Sequence, residues 1–394
     1  MKILVLNNIA KQGLDIFDQN NYVLSAEKES AVGIVLRSEN LTQFQLPKSL
    51  LGIARAGAGT NNINVEGCSE SGVVVFNTPG ANANAVKEMV VCSLILSRRD
   101  LVSGNKNLDS FVVEDKSDEE INSEIESMKK KYKGEEVKGK TLGVIGLGAI
   151  GSMVAEQAMA LGMKVNAFDP GLTVETALRL PSTLNRFNSI DEVLQGSDFI
   201  SLHLPLNNKT KGLINENKLK LMKKSCVLIN FSRGGIVDEP SLIESLDNNH
   251  LHKYVTDFPT KRLLQRLVSD QDVMIFPHLG ASTKESETNC AVMACSQLND
   301  FLKEGKIVNS VNYPNIASEK FGNHRIFITN RNQPGIISQI AETLAANKIN
   351  ISEFVNKSRG DLACNIIDTD DKIDVSIVLE LEKISGVTNA RLCY

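Results

Sequence analysis

The stretch TLGVIGLGAIGSMVAEQAMALGMKVNAFD, from Thr141 to Asp169, decides the predicted fold of the middle of the chain. Its apolar start, Leu142–Ile145, is typical of a buried parallel strand. Three glycines in the order G-x-G-x-x-G come next, at Gly146, Gly148 and Gly151. The first allows a tight turn, the second lets the backbone approach a pyrophosphate, and the third lets a helix pack closely on the strand. The pattern predicts a βαβ unit that binds a dinucleotide.

A second predicted strand, Lys164–Phe168, ends at Asp169, about where such a site needs an acid. A carboxylate there accepts hydrogen bonds from an adenosine ribose and repels a 2′-phosphate, so Asp169 favours NAD over NADP. A glycine turn alone could be an ordinary connection between a strand and a helix. The complete succession of strand, helix, strand and acid favours dinucleotide binding.

The composition limits the classes of protein to which the chain can belong. Its 394 residues are enough for two or three domains, and 42% hydrophobic and 23% charged residues are ordinary for a soluble globular protein. A net charge of -4 gives no support for nucleic-acid binding, and no apolar run is long enough to span a membrane. Seven scattered cysteines without a Cys-x-x-Cys suit free thiols in a reducing cytoplasm, and neither a disulfide framework nor a metal site.

The first eighty residues alternate short apolar runs with helical stretches, which predicts an α/β layout ahead of the glycine turn. Two of its loops have residues suited to binding. In the loop that starts with Arg55, Ala56 and Gly57, a guanidinium fork and backbone amides could hold a carboxylate or a phosphate. The other loop, Asn77–Asn82, opens a predicted helix. For each loop, an ordinary solvated turn is the alternative.

Beyond the glycine turn, predicted buried strands end in or near polar residues, among them His203, Arg233 and His278. Ligands bind beyond the C-terminal ends of the strands in an open parallel sheet, so we expect Arg233 to have a functional role. A histidine at a strand end, as at His278, is well placed for proton transfer.

The last part of the chain has a different pattern. Residues 309–322 have no periodicity and are predicted to be a linker. The elements predicted beyond it alternate as βαββαβ, which indicates a ferredoxin-like unit. The predicted fold class is therefore α/β, with two doubly wound parallel-sheet (Rossmann-like) domains and a C-terminal ferredoxin-like domain.

Six stretches of the chain resemble the D-isomer-specific 2-hydroxyacid dehydrogenases. They are ARAGAGTNNI (54–63), NTPGANANAVKE (77–88), GLGAIG (146–151), NFSRGGIVDE (230–239), PHLGAST (277–283) and NRNQPG (330–335). The last stretch is similar to an ACT domain. It points to the branch of the family that uses NAD to oxidise 3-phospho-D-glycerate to 3-phosphohydroxypyruvate, the first step of L-serine biosynthesis. Two alternatives stay open: a dehydrogenase or reductase of another D-2-hydroxyacid, and a non-catalytic NAD-responsive regulator.

The resemblance also implies domain bounds. The substrate-binding domain would be split into residues 1–97 and 283–308, with the NAD-binding Rossmann domain at 98–282 inserted between its parts. An ACT regulatory domain would occupy residues 323–394. Closure of the cleft between the first two domains would exclude water from hydride transfer.

Roles for single residues follow from the same resemblance. Arg233 would clamp the substrate carboxylate and keto oxygen, and His278 would exchange the proton. The implied cofactor contacts are Gly146, Gly148, Ala149, Ile150, Gly151, Asp169, His203, Phe231, Ser232, Asp257 and Gly280. The implied substrate contacts, besides Arg233, are Arg55, Ala56, Gly57 and Asn82. One position departs from the family, because Lys261 stands where a glutamate usually pairs with the catalytic histidine.

The ACT-like region implies an amino-acid effector, with L-serine as the expected one, bound by Asn330, Asn332 and Asn350. Asparagine amides can donate to a carboxylate and accept from an ammonium group, which suits a zwitterion. Asn330 stands where some relatives have a histidine. Because such domains often pair by edge strands, we expect a homodimer or a homotetramer.

Overall fold

The structure is a computed structural model that describes residues 1–27, 30–108, 116–172, 177–178, 180–269 and 272–393. The chain forms two compact units, one of residues 1–82 with 283–394 and one of residues 83–282. Within the described ranges, no helix has both the length and the apolar composition that a membrane-spanning helix requires.

The elements alternate between strands and helices along most of the chain. The strands are β1 (Lys2–Val5), β2 (Val23–Ser25), β3 (Gly33–Leu36), β4 (Gly52–Arg55), β5 (Val74–Phe76), β6 (Thr141–Ile145), β7 (Lys164–Phe168), β8 (Asn185–Arg186), β9 (Phe199–Leu202), β10 (Val227–Asn230), β11 (Lys253–Thr256), β12 (Val273–Ile275), β13 (His324–Arg331), β14 (Ile351–Arg359), β15 (Leu362–Thr369) and β16 (Val387–Cys393). The helices are α1 (Lys11–Leu14), α2 (Val65–Glu70), α3 (Ala83–Leu96), α4 (Leu101–Leu108), α5 (Asp118–Lys129), α6 (Ala149–Ala160), α7 (Ile190–Gly196), α8 (Glu216–Leu221), α9 (Glu239–Asp247), α10 (Lys261–Ser269), α11 (Lys284–Glu304), α12 (Ile336–Ala346) and α13 (Val375–Glu382).

The first unit contains a parallel sheet in the order β2-β1-β3-β4-β5. Strands β3 and β5 are apolar and buried along their whole length, as parallel strands covered on both faces usually are. The long helix α11 packs on this sheet, and its residues Leu298 and Phe301 share a core with Ile3 and Phe76. The C-terminal edge of this sheet carries the loops in which substrate contacts were predicted.

The segment that follows α11 returns to the same sheet. Ser310 bridges to Phe76 in antiparallel register, and the amide of Val311 donates to the carbonyl of Val75 at 2.9 Å. Tyr313 is fully buried. The first half of the predicted linker is therefore paired with the first sheet. The sequence did not indicate this, because backbone pairing with a distant strand leaves no periodicity.

The C-terminal strands form an antiparallel sheet in the order β14-β15-β13-β16. Helices α12 and α13 cover one face, where Ile328 and Ile367 share a core with Ile340 and Leu381. The other face carries Phe327, whose ring packs edge-on against Phe301 of α11 at 5.2 Å between centroids. This sheet is accordingly part of the first compact unit.

The second unit contains a parallel sheet in the order β12-β11-β10-β9-β6-β7-β8. The chain builds β7 and β8 on one side of β6 and then crosses to β9 on the other side. The resulting switch point between β6 and β9 is where open α/β sheets bind ligands. Helix α3, predicted to belong to the first domain, lies in this unit and packs against α6. The mixed α/β class with two parallel sheets is confirmed.

Candidate active site

The glycine turn of the second unit has the geometry that its sequence predicts. Gly146 has a φ of 95°, and a Cβ there would overlap the carbonyl oxygen of His203. A Cβ on Gly151 would overlap the carbonyl oxygen of Gly146, so α6 can approach β6 only without a side chain there. At Gly148, which caps α6, a Cβ would meet nothing within 4 Å. The open side of the turn is therefore where a phosphate can approach the first amides of α6, which belong to Ala149 and Ile150.

Asp169 follows β7 and stabilises the glycine turn through hydrogen bonds. Its Oδ2 accepts a hydrogen bond from the amide of Leu147 at 2.7 Å, and its Oδ1 accepts one from the amide of Gly171 at 2.8 Å. Each carboxylate oxygen has a second lone pair, which leaves Asp169 able to accept from a ribose hydroxyl as well. The carboxylate thus has a structural role in addition to the predicted one.

His203 lies just beyond β9, at the switch point. Its amide donates to the carbonyl of Ile145 at 2.8 Å, and its Nε2 is 2.9 Å from Oγ of Ser201. Burial lowers the pKa of His203 to about 4. The imidazole is therefore neutral near pH 7 and adds no charge beside the glycine turn.

The turn that carries Arg233 is built around Asn230, a residue that sequence reasoning missed. The fully buried Asn230 side chain accepts hydrogen bonds from the amide and hydroxyl of Ser232 and donates to the carbonyl of Arg233 at 2.9 Å. Phe231 is buried below the turn, while Arg233 is exposed. An asparagine at the end of an aliphatic strand run was the available signal, since a buried amide needs several partners.

Asp257 and His278 lie together with Arg233 in this unit. Asp257 is buried, and its Oδ2 accepts a hydrogen bond from the amide of Gly280 at 2.8 Å. Burial raises the pKa of Asp257, partly offset by that amide and by the charges of His278 and Arg233. Its other oxygen, Oδ1, is buried and has no hydrogen-bond partner in the described part of the chain. A buried acceptor of this kind suits the carboxamide of a nicotinamide.

His278 stands on a turn with an unusual backbone. Its φ of 52° is in the left-handed region, which residues other than glycine rarely adopt, and its side chain is exposed. The ring of Phe258 packs edge-on against the imidazole at 5.4 Å between centroids. Lys261, three residues after Phe258, is exposed at the first position of α10. His278 acts electrostatically on the buried carboxylate of Asp257.

The predicted substrate residues of the first unit follow β4. The guanidinium of Arg55 folds back over Gly57, where an added Cβ would lie 2.5 Å from Nη1. The neighbouring strand β3 pairs Leu36 with Arg55, so Arg37, which follows it, emerges at the same edge of the sheet. Sequence reasoning missed Arg37, although a basic residue directly after a buried strand was a visible signal. Asn82, half-buried, is the last residue of this part of the unit.

Most of the second unit is similar in sequence to one known protein family. Residues 112–280 match the family described as D-isomer specific 2-hydroxyacid dehydrogenase, NAD binding domain. This part of the chain is similar to the NAD-binding domain of that family. Its cofactor is NAD, and the open side of the glycine turn, the free oxygen of Asp257 and the position of Asp169 all fit this dinucleotide.

Several named proteins are similar to most of this chain. D-3-phosphoglycerate dehydrogenase of Bacillus subtilis (strain 168) is 32% identical over 334 residues, which are 81% of this chain and 60% of the relative. D-3-phosphoglycerate dehydrogenase 1 of Saccharomyces cerevisiae is 28% identical over an alignment of 432 residues, with 100% of this chain and 88% of the relative. The structure of NAD+-bound 3-phosphoglycerate dehydrogenase from Entamoeba histolytica matches with a TM-score of 0.63 and 28% identity, over 79% of this chain and 98% of that chain. This chain therefore spans about 60% of the length of the Bacillus relative.

The predicted effector residues lie outside the matched dehydrogenase domain, on the C-terminal sheet. The side chain of Asn332, just after β13, donates to the carbonyl of Gly360 at 3.0 Å. Asn350, just before β14, donates its amide to the carboxylate of Asp371 at 2.9 Å. Because β13 and β14 both run antiparallel to β15, these two asparagines lie at opposite ends of the sheet. The structure does not bring them together within one chain.

Asn330 is engaged inside the same sheet. It is buried, and its Oδ1 accepts a hydrogen bond at 2.8 Å from Asn365, whose own Oδ1 accepts one from Asn356 at 2.7 Å. The three amides form a ladder across β13, β15 and β14. Asn330 therefore has a packing role that the sequence did not indicate.

Proposed function

We propose that this protein oxidises 3-phospho-D-glycerate to 3-phosphohydroxypyruvate with NAD, the first step of L-serine biosynthesis. The observation that carries the proposal is the grouping of Arg233, Asp257 and His278 in the NAD-binding domain. The similarity to D-3-phosphoglycerate dehydrogenases over most of the chain supports the choice of substrate.

The proposed reaction removes a hydride from C2 of the substrate and a proton from its 2-hydroxyl. When bound, NAD supplies the nicotinamide that accepts the hydride. Arg233 presents a planar fork that holds the substrate carboxylate and the oxygen that becomes the keto group. His278 accepts the hydroxyl proton on its imidazole, and the exposed ring is free to pass it to water.

Asp257 would support His278 in two ways. Its negative charge would attract the imidazolium that His278 forms when it accepts the hydroxyl proton. Its bond to Gly280 fixes the turn on which His278 stands. With Lys261 in the place of the family's usual glutamate, we propose that Asp257 is the acid that stabilises the charged histidine.

Arg37 and Arg55 would bind the anionic part of the substrate on the first unit. Both stand at the C-terminal edge of a parallel sheet, on neighbouring strands. Guanidinium groups suit a phosphate, which offers three acceptor oxygens. Ala56, Gly57 and Asn82, on the loops at the same edge, complete the proposed substrate contacts.

The C-terminal sheet and its two helices would form a ferredoxin-like ACT domain that responds to L-serine. The strand order β14-β15-β13-β16 with both helices on one face supports the fold. Since Asn332 and Asn350 lie at opposite ends of one sheet, an effector held by both requires a second copy of the chain. The proposal therefore includes a homodimer or a homotetramer.

The test of the reaction is NADH formation from NAD and 3-phospho-D-glycerate, with D-lactate and D-glycerate as control substrates. Arg233→Lys keeps the charge and loses the fork, so kcat should fall by about a hundredfold or more. His278→Ala should do the same, with NAD affinity unchanged in both. Faster turnover of either control substrate would contradict the choice of substrate, and NAD binding without any turnover would indicate a regulator.

The test of regulation is the rate of NADH formation against L-serine concentration. Wild type should be inhibited, and Asn332→Ala and Asn350→Ala should each abolish inhibition without changing the rate in the absence of serine. A mixture of the two variants should recover part of the inhibition, because each mixed dimer has one intact pair. Equal inhibition of wild type and both variants would place the effector elsewhere.

A further inference from the structure

We propose that Glu287 is an internal competitor for the phosphate-binding guanidinium of Arg37. The inference rests on the proposed function, in which Arg37 meets the substrate phosphate. Glu287 would set how tightly that phosphate is held. It forms an ion pair with Arg37, which lies 250 positions earlier in the chain.

Arg37 stands on a loop whose backbone is fixed. The side-chain Oδ1 of Asn7 accepts hydrogen bonds from the amides of Arg37, Ser38 and Glu39 at 3.2, 2.9 and 2.8 Å. The side-chain amide of Asn62 donates to the backbone carbonyl of Glu39 at 2.7 Å. With its backbone held from both sides, Arg37 can change partners only by rotating its side chain.

Glu287 faces this guanidinium from the first turn of α11. Its Oε1 lies 2.7 Å from Nη1 of Arg37. The two side chains are 38% and 46% exposed, so water reaches both groups and opening the pair costs little. A phosphate that carries between one and two negative charges near pH 7 forms stronger hydrogen bonds to a guanidinium than one solvated carboxylate does.

The pair therefore defines two states of the same subsite. Without a ligand, the carboxylate of Glu287 neutralises Arg37. A substrate phosphate takes its place, and the released carboxylate repels the bound anion from a short distance. Glu287 thus weakens the hold on phosphate, which limits inhibition by free inorganic phosphate and assists the release of the phosphorylated product.

The same helical turn provides a matched control. Thr283 caps α11, and both Glu285 and Glu287 lie in its first turn, where acids stabilise a helix through its dipole. Both side chains are exposed, and the ion pair with Arg37 belongs to Glu287. Glu285→Gln and Glu287→Gln therefore remove the same helix-dipole interaction, and Glu287→Gln also removes the competitor.

The experiment compares wild type, Glu287→Gln and Glu285→Gln for KM and kcat with 3-phospho-D-glycerate and for inhibition by inorganic phosphate. Glu287→Gln should lower KM and the phosphate inhibition constant by about two- to fivefold, the range expected for one exposed pair. Glu285→Gln should change neither. Equal effects of the two variants, or a raised KM in Glu287→Gln, would overturn the proposal.

Two further arms separate this proposal from the proposed function. In an Arg37→Gln background, Glu287→Gln should have no effect on phosphate binding, because the pair is already broken. Calorimetric titration of inorganic phosphate into the NAD-loaded proteins tests this without turnover. If wild type does not oxidise 3-phospho-D-glycerate, the reaction is wrong, while tighter phosphate binding by Glu287→Gln alone would still support the competitor. Unchanged phosphate binding in Glu287→Gln would reject the competitor even in an active enzyme.

Discussion

The buried carboxylate of Asp257 accepts a hydrogen bond from the backbone amide of Gly280, at 2.8 Å and two residues beyond His278. A Cβ on Gly280 would lie 2.8 Å from the same carboxylate oxygen, so the contact requires glycine. The bond fastens the end of β11 to the loop after β12. It holds the turn that carries the histidine on a backbone which His278 would rarely adopt by itself.

Substitutions of Asp257 should separate this hydrogen bond from the charge. Asp257→Ala leaves the Gly280 amide without its acceptor and should lower the free energy of unfolding by about 1–3 kcal/mol. Asp257→Asn keeps an acceptor oxygen. Burial raises the pKa of Asp257, so the ionised carboxylate is less favourable in the folded state, and wild type should lose stability as pH rises through that pKa. Asp257→Asn should therefore gain stability relative to wild type between acidic and neutral pH in denaturant titrations, and a pH-independent difference would contradict this.

The glycine turn provides a pair of substitutions with opposite consequences. Gly151→Ala places a methyl group on the carbonyl oxygen of Gly146 and should lower the free energy of unfolding by about 1–3 kcal/mol. Gly148→Ala meets open space and should leave the thermal midpoint unchanged while it weakens NAD binding. Thermal unfolding and NAD titration of both variants check the prediction. Normal NAD affinity in Gly148→Ala would mean that the pyrophosphate lies elsewhere.

The cofactor preference should depend on Asp169. Wild type should bind NAD at least about tenfold more tightly than NADP, a difference of about 1.4 kcal/mol. Asp169→Asn keeps an oxygen for the Leu147 amide but removes the charge that repels a 2′-phosphate, so the preference should shrink. Fluorescence titration of both cofactors measures it. A wild type that prefers NADP would contradict the role assigned to Asp169.

The C-terminal sheet should lose stability in acid through one buried ion pair. Asp368 and Arg325 form two hydrogen bonds, Nε to Oδ1 at 2.7 Å and Nη2 to Oδ2 at 2.8 Å, and both side chains are buried. Burial acts to raise the pKa of Asp368, but the hydrogen bonds and charge of Arg325 and the amide of Phe321 outweigh it and lower the pKa. The stabilisation is therefore present above the unfolded pKa of about 3.9 and is lost as pH falls through the folded pKa.

Asp368→Asn should cost about 3–5 kcal/mol at neutral pH, because it leaves the Arg325 charge buried without its partner. The difference from wild type should shrink as pH falls toward 3. Replacing both residues, in Arg325→Met/Asp368→Leu, should cost much less than the single change. A difference that stays constant from pH 7 to pH 3 would show that the ion pair is not its source.

The parts of the site that could be predicted are those encoded by neighbouring residues. The turn from Gly146 to Gly151 and the acid at Asp169 lie within one βαβ unit, so their spacing in the chain fixes their spacing in space. Arg233 and His278 could be placed at strand ends because a parallel sheet brings those ends to one edge. The prediction did not extend to Asn230, because its hydrogen bonds to the Arg233 turn depend on how that turn closes.

The sequence by itself determined that the chain has two parallel sheets, that its central part binds NAD, and that Arg233 and His278 follow strand ends. Only the tertiary structure decided that Arg37 meets Glu287, that Asn330 is held in a ladder of side-chain amides, and that Ser310 and Val311 pair with the first sheet. The physical reason is the same in each case. Hydrophobic periodicity and glycine spacing act over a few residues, whereas the partner of a polar group is decided by the packing of segments that lie up to hundreds of residues apart.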